Sequence, residues 1–428
     1  MSINTISVIG LGYIGLPTAA IFASRKKQVI GVDINQDVID TINAGKIHFV
    51  EPELDTIVSN VVKEGYLRAV LIPEPADVFF IAVPTPFLPL KSGESIYQPD
   101  LKFIESAVRD ISKVLKKGDL IVLESTSPVG TTEKMAAWLS DLRPDLTFPQ
   151  THGEESDIRV AYCPERVLPG QVIKELVEND RVIGGMTQLC SDAAILAYKI
   201  FVKGKCLVSN SRTAEMVKLT ENASRDVNIA FANELSIICD KLNINVWEMI
   251  ALSNHHPRVD ILEPGPGVGG HCIAVDPWFI ISKTPDQASL IKAAREVNQN
   301  KPDWVVEKVK LALAEYLSER PDKKAKDVSI ACFGLAFKAD IDDLRESPAV
   351  SISLRINEFH SGKFLVIEPN INELPDYLQN KFLLTSINGV DAVNANIKVL
   401  LVDHQEFKEI KIDANNNDKV IDTRGIWQ

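Results

Sequence analysis

Short apolar runs alternate with helical stretches through the first half of the chain. The runs at 5–9, 28–33, 77–83 and 119–124 are mostly Val, Ile, Leu, Phe or Ala, and each leads into a turn or a helical pattern. Strands buried on both faces read this way, so the order predicts a parallel sheet covered by helices on both sides. Another run at 158–162 ends at Cys163-Pro164-Glu165, and the first domain is expected to close near residue 210. From 212 to about 243 there is no Pro or Gly, and the apolar residues (Leu219, Ala223, Ile229, Ala230, Phe231, Leu235, Ile238) fall on more than one side. Such a helix would run roughly 45 Å, longer than one small domain needs, so it is expected to bridge two domains or two subunits. The Gly- and Pro-rich stretch 257–277 is too varied in composition for a flexible spacer and reads as a functional loop.

Past a helical run at 303–319 and a charged connection at 320–327, strand-like runs return at 328–334, 363–368, 397–402 and 419–422. A second, smaller α/β domain is predicted there, with Asn415-Asn416-Asn417 as a turn. The fold class is therefore α/β, with domains at 1–210, 211–320 and 321–428.

Composition narrows the function rather than the fold. With 428 residues, 45% hydrophobic and 24% charged, the chain is long enough for two or three ordinary globular cores. A net charge of −12 without a long basic run excludes non-specific nucleic-acid binding, so any anionic ligand must be held by local charges. No window approaches 18 apolar residues, and residues 1–5 lead directly into a strand, so neither a membrane span nor a signal peptide is expected. Six scattered cysteines with no metal-ligand spacing fit a reducing cytoplasm and no metal.

Candidate chemistry begins at Gly10-Leu-Gly12-Tyr13-Ile14-Gly15, between the first strand and the first helix. Gly10 allows the tight turn, Gly12 lets backbone approach a pyrophosphate, Gly15 permits close helix packing, and Tyr13 and Ile14 lie in the same phosphate-facing loop. Asp33, ending the second strand, would accept from a ribose 2′-OH and repel a 2′-phosphate. The expectation is a Rossmann-type domain binding NAD rather than NADP. Thr85 in Val83-Pro84-Thr85-Pro86 and Thr126 in Ser125-Thr126-Ser127-Pro128 follow two further strands, where they either reach cofactor or substrate or satisfy turns before proline. Lys218, Asn222 and Arg225 share one face of the long helix. That face either binds an anionic ligand, with Lys218 on a developing oxyanion, or is simply solvated.

The strongest local signal is 264–277, Pro-Gly-Pro-Gly-Val-Gly-Gly-His-Cys272-Ile-Ala-Val-Asp276-Pro. If a helical turn starts after Gly270, Cys272 sits at its N-terminus, where the dipole favours thiolate, and Asp276 falls one turn later. An inert cysteine in a glycine-rich turn is the alternative. Beside an NAD site, a nucleophilic thiol suits oxidation of an alcohol through a thiohemiacetal and a thioester to an acid, consuming two NAD. Glu165, at another strand exit, is a candidate to position the hydrolytic water. Residues 333–338 and 345–348 carry one glycine and suit a nucleotide diphosphate better than a second NAD.

These motifs, with Pro164-Glu165-Arg166-Val167, Lys218 to Asn222 and Gly334-Leu-Ala-Phe337-Lys338, resemble the UDP-glucose/UDP-mannose dehydrogenase family over essentially the whole chain. The resemblance implies Cys272 as nucleophile, Lys218 as proton carrier and oxyanion partner, and Asp276, Thr126 and Glu165 around the water. It implies Arg166, Val167, Asn222, Arg225, His256, Arg258, Gly269, Phe337 and Lys338 at the UDP-sugar, with Arg345 reaching NAD. The C-terminal domain is then the UDP-binding one, and the long helix a homodimer contact. Residues 164–170 and 256–258 take the forms of the members that oxidise UDP-N-acetyl-D-mannosamine at C6, an activity of enterobacterial surface-polysaccharide synthesis. The UDP-glucose members carry a second acid where this chain has Pro169. Rival readings are a dehydrogenase of UDP-N-acetylglucosamine or UDP-glucose, a non-redox nucleotide-sugar epimerase, whose Tyr-x-x-x-Lys matches only Tyr377 to Lys381, and a non-catalytic binding module.

Overall fold

The computed structural model describes residues 3–427 apart from 91, 92, 94, 95, 169, 271, 387–393 and 411–417. Pro169 and the expected turn at Asn415-Asn416-Asn417 therefore lie outside the described residues. Two compact units emerge, one formed by Met1–Glu221 with Trp278–Pro285, the other by Asn222–Pro277 with Asp286–Gln428.

The first unit is an eight-stranded sheet in the order β3-β2-β1-β4-β5-β6-β7-β8, with β1 Thr5–Ile9, β2 Gln28–Val32, β3 Leu67–Val70, β4 Val78–Ile81, β5 Leu120–Leu123, β6 Arg159–Tyr162, β7 Arg181–Gly185 and β8 Cys206–Asn210. Chain direction away from β1 reverses between β1 and β4, the crevice where open α/β sheets take ligands. Apolar layers cover both faces, one built on Phe22, Phe80 and Tyr198, the other on Phe79, Met135 and Tyr162. One junction departs from the expected parallel sheet: β6 and β7 are antiparallel, with Ala161 opposite Gly185. The reversal puts the first residue of β7, Arg181, at the carboxyl end of β6. Strands β3, β7 and β8 were not anticipated: β3 and β8 are edge strands with exposed positions, and β7, Arg-Val-Ile-Gly-Gly, has only two apolar side chains, so none reads as an apolar run.

In the second unit, five parallel strands are ordered β11-β10-β9-β12-β13, with β9 Ile330–Phe333, β10 Phe364–Ile367, β11 Leu383–Leu384, β12 Ile397–Leu400 and β13 Lys419–Asp422. Here direction reverses between β9 and β12, which places the loop after β9 at the crevice. The long helix, Ser211–Leu242, has the expected extent. The following long helix does not. It begins at Ser289 and ends at Ser318, with Pro302 inside, where the sequence reading started it at 303 because proline ordinarily interrupts a helix. A polar ladder, buried in its first three rungs and exposed in its last, holds it. Asp226 bonds Arg295, Asn233 bonds Asn298, Ser236 bonds Lys301 and Asp240 bonds Lys308, numbers that rise together along two helices running in one direction.

Candidate functional site

At the carboxyl edge of the first sheet the fingerprint loop is tight on one side and open on the other. Gly10 has φ +89°, donates to the Val32 carbonyl at 2.8 Å, and a Cβ there would lie 2.8 Å from the Ala82 carbonyl oxygen. A Cβ on Gly15 would collide with the Gly10 carbonyl at 1.8 Å, whereas one on Gly12 would meet nothing within 4 Å. Backbone at Gly12 is thus bare to a diphosphate while the helix Gly15–Ser24 starts close behind, an arrangement that fits a dinucleotide. Asp33 accepts from the Leu11 N–H and the Asn35 N–H, both at 2.9 Å, which fixes the carboxylate at the end of β2. Tyr13 stacks on Phe49 with centroids 4.3 Å apart. Thr85 is occupied locally, since its hydroxyl donates to the Thr126 carbonyl at 2.7 Å and ties the two post-strand loops together.

Glu165 lies deeper than the sequence suggested. It is buried, one carboxylate oxygen 2.6 Å from Arg181 and the other accepting from the Arg166 N–H at 2.7 Å. Arg181 stacks over Tyr198 and Phe201. Tyr198 in turn donates to Glu124 at 2.7 Å, and burial together with the Glu165 charge pushes the Glu124 carboxyl up to about 7. Arg166 forks onto Glu221, and Glu51, itself buried, accepts from the N–H groups of Gly170 and Val172 and so pins the loop that carries Arg166 and Val167. Lys218 and Val167 are half-buried in this unit.

Within the second unit the glycine loop is enclosed by its neighbours. Gly265 donates to Asn233 at 2.8 Å, a Cβ on Gly269 would lie 2.6 Å from the Glu346 carbonyl oxygen, and one on Gly270 would strike the Phe337 ring. Cys272 follows as the one exposed cysteine of six. Burial pushes Cys163 and Cys332 up to about 12, which leaves them protonated and inert. The helix itself starts at Asp276 rather than just after Gly270, so Cys272 is not its first residue. Its carbonyl instead accepts from the N–H groups of Val275 and Asp276, a single turn that leads into the helix and leaves the expected one-turn spacing intact. Asp276 is buried and accepts from the Asn222 amide, joining two residues that the sequence had proposed separately.

Phe337 is half-buried and Lys338 exposed on the loop after β9, whose Leu335 and Ala336 N–H groups are held by buried Glu368 at 2.7 and 2.9 Å. Arg345 pairs with Asp343 while its carbonyl accepts from the Gly270 N–H at 3.3 Å. Arg225, His256 and Arg258 are exposed. Among the described residues Asp340, His404 and Glu406 bring possible metal ligands together. Both ring nitrogens of His404 are engaged, one by the Asp340 N–H and the other on Glu368, so the cluster is a hydrogen-bonded one.

Sequence reading missed Arg181, Glu124, Glu51, Asn233 and Glu368. An acid closing a strand, as at Glu124 and Glu368, was a usable signal, the same one that identified Asp33. For Arg181 and Asn233 there was none, because their partners are distant in sequence.

Comparison with known proteins accounts for nearly the whole chain. Family models of the UDP-glucose/GDP-mannose dehydrogenases match as NAD binding domain at residues 4–202, central domain at 212–300 and UDP binding domain at 331–428. The chain is 61% identical over 428 residues, all of both chains, to a UDP-N-acetyl-D-mannosamine dehydrogenase of Salmonella typhi. It is 60% identical over 424 residues, 99% of this chain and 96% of the relative, to an NDP-N-acetyl-D-galactosaminuronic acid dehydrogenase of Ralstonia nicotianae. A solved UDP-D-ManNAc dehydrogenase from Pyrococcus horikoshii superposes with a TM-score of 0.83 at 38% identity, covering 99% of this chain and 96% of that one.

Proposed function

The chain belongs to the UDP-glucose/GDP-mannose dehydrogenase family, whose name carries GDP where the sequence reading had UDP, and from that premise we propose that it oxidises UDP-N-acetyl-D-mannosamine at C6 to the uronate. It is an NAD-dependent nucleotide-sugar dehydrogenase. The observation that carries the mechanism is the single exposed thiol, Cys272, on a glycine loop one turn before an Asp276 held by Asn222.

The Gly10–Gly15 loop and Asp33 would hold NAD, which would supply the hydride acceptor for each of the two oxidations. Lys218 takes the proton from the C6 hydroxyl as the alcohol becomes an aldehyde. Cys272 adds to the aldehyde carbon to give a thiohemiacetal, with the oxyanion next to Lys218. Loss of the second hydride leaves a thioester on Cys272. Water then displaces the thiolate, Asp276 and Thr126 orienting it beside Glu165, which is held by its ion pair to Arg181. The UDP-sugar is held by Arg166, Val167, Asn222, Arg225, His256, Arg258, Gly269, Phe337 and Lys338, and Arg345 reaches toward NAD.

The product is a nucleotide-linked uronic acid suited to a surface polysaccharide of the enterobacterial common antigen type, made in the cytoplasm. Among the described residues no helix is long and apolar enough to cross a membrane. A homodimer through the long helix fits its exposed Phe231, Ile238 and Leu242.

Two NADH per UDP-N-acetylmannosamine, and almost no uronate after Cys272→Ser in a protein that still binds NAD, is the expected result. Full turnover by that variant overturns the covalent scheme. The Ralstonia relative, 60% identical, favours a second reading with a galactosamine-type sugar, so UDP-N-acetylglucosamine, UDP-N-acetylgalactosamine and UDP-glucose belong in the same assay.

A further inference from the structure

Beneath the glycine loop runs a chain of buried amides with one permitted orientation. Asp226 is ion-paired with Arg295, and both are at most 2% exposed. The Asn298 amide nitrogen donates to the Asp226 carboxylate at 2.8 Å and to the Asp226 carbonyl at 3.0 Å, which leaves only its oxygen to face Asn233. Asn233 must then turn its NH2 group toward that oxygen, at 2.8 Å, and its own oxygen toward the Gly265 N–H, also at 2.8 Å. Flipping either amide would set like atoms against each other in a site closed to water, at the full cost of unsatisfied buried groups. Charge at Asp226 therefore dictates, through two amides, where the backbone of the loop begins.

Three further contacts carry that position along the loop. Pro302 has no N–H to give the Asn298 carbonyl, its i−4 acceptor, and that carbonyl oxygen lies 3.3 Å from where a Cβ on Gly267 would stand. On the other side of Gly265, Arg424 comes within 2.6 Å of a Cβ position, so the loop is held between Arg424 and Asn233. At its far end the Gly270 N–H bonds the Arg345 carbonyl, two residues before Cys272.

We propose that Asn233, oriented by Asn298 and the Asp226–Arg295 pair, is a positioning residue that sets the placement of Cys272 through the Gly265 N–H. The inference rests on the reading of Cys272 as nucleophile. Asn233 is itself fully buried, bonded to Asn298 and to the Gly265 N–H. It acts on kcat by holding the thiol where it can attack.

In the full-length enzyme Asn233→Ala deletes the acceptor for Gly265. Its kcat is expected to fall about ten- to a hundredfold, the loss that a displacement of up to about 1 Å can cause. The KM for NAD stays unchanged, and alkylation of Cys272 by iodoacetamide, followed by mass spectrometry without substrate, changes at least about threefold. Asn298→Ala keeps the acceptor but frees its orientation and gives a smaller change in the same two readouts. A merely structural residue would lower the melting temperature while leaving kcat per folded enzyme and the alkylation rate alone. That result in Asn233→Ala, or in Asn298→Ala should the first variant not fold, overturns the proposal. Turnover by Cys272→Ser would overturn the nucleophile reading separately, since alkylation of Cys272 in Asn233→Ala still reports where the loop lies.

Discussion

Two buried titratable side chains respond to pH in opposite directions. Glu124, facing Glu165, Arg181, Tyr198, Cys163 and Thr18, is pushed up to about 7 from 4.5 by burial first and the Glu165 charge second. Between those values the folded protein holds a proton that the unfolded chain has released, so stability falls as pH rises through that window. Lys301, packed 3.8 Å from the Trp304 ring centroid and bonded to Ser236, is pushed down from 10.5 to about 7 by burial. Above pH 7 the unfolded chain binds the extra proton, and stability rises with pH toward 10. Denaturant titrations should show each slope at no more than about 1.4 kcal/mol per pH unit. Glu124→Gln is expected to flatten the acidic limb and Lys301→Met the basic one. An unaltered limb in either variant refutes that assignment. For Asp33, whose carboxylate holds the Leu11 N–H, Asp33→Ser should narrow the NAD over NADP ratio of kcat/KM by at least about tenfold, and an unchanged ratio counts against its ribose role.

Elements here are fixed at their ends by side chains that also serve the loops beside them. Ser347 caps the helix Pro348–Phe359, accepting from Ala349 and Val350, and its hydroxyl donates at 2.6 Å to the Leu335 carbonyl in the loop after β9. Ser347→Ala should cost about 1–3 kcal/mol, the sum of a lost cap and a buried hydrogen bond, and should weaken UDP binding in calorimetry. Unchanged UDP affinity would confine the residue to capping. Most interior strands and the 32-residue helix were legible from periodicity because burial on both faces leaves continuous apolar runs, but β7, with two glycines in five residues, was not. Edge strands β3 and β8 were not, since half their residues meet solvent. The helix at Ser289–Ser318 was half missed because the force that carries it through Pro302 is a polar ladder to another helix, invisible to local pattern.

At the scale of the molecule, each unit has its own sheet and its own apolar layers, so heat unfolding is expected to depart from one two-state transition. In scanning calorimetry NAD should raise the transition of the unit bearing the Gly10–Gly15 loop, and UDP that of the unit bearing residues 331–428. A single transition that both ligands move equally would refute this. Local chemistry was readable from the chain wherever neighbours in sequence are the agents. Glycines before a helix, an acid closing a strand and a cysteine beside a glycine loop name a dinucleotide site and a nucleophile, because short-range backbone geometry demands those residue types. Tertiary structure alone decided how those groups are held. Arg181 on Glu165, Glu51 on the 170–172 amides, Asn233 on Gly265 and Glu368 on the loop after β9 each join residues far apart in sequence. Such contacts leave no periodicity, since a buried polar group is chosen by its partner's position and not by its neighbours along the chain.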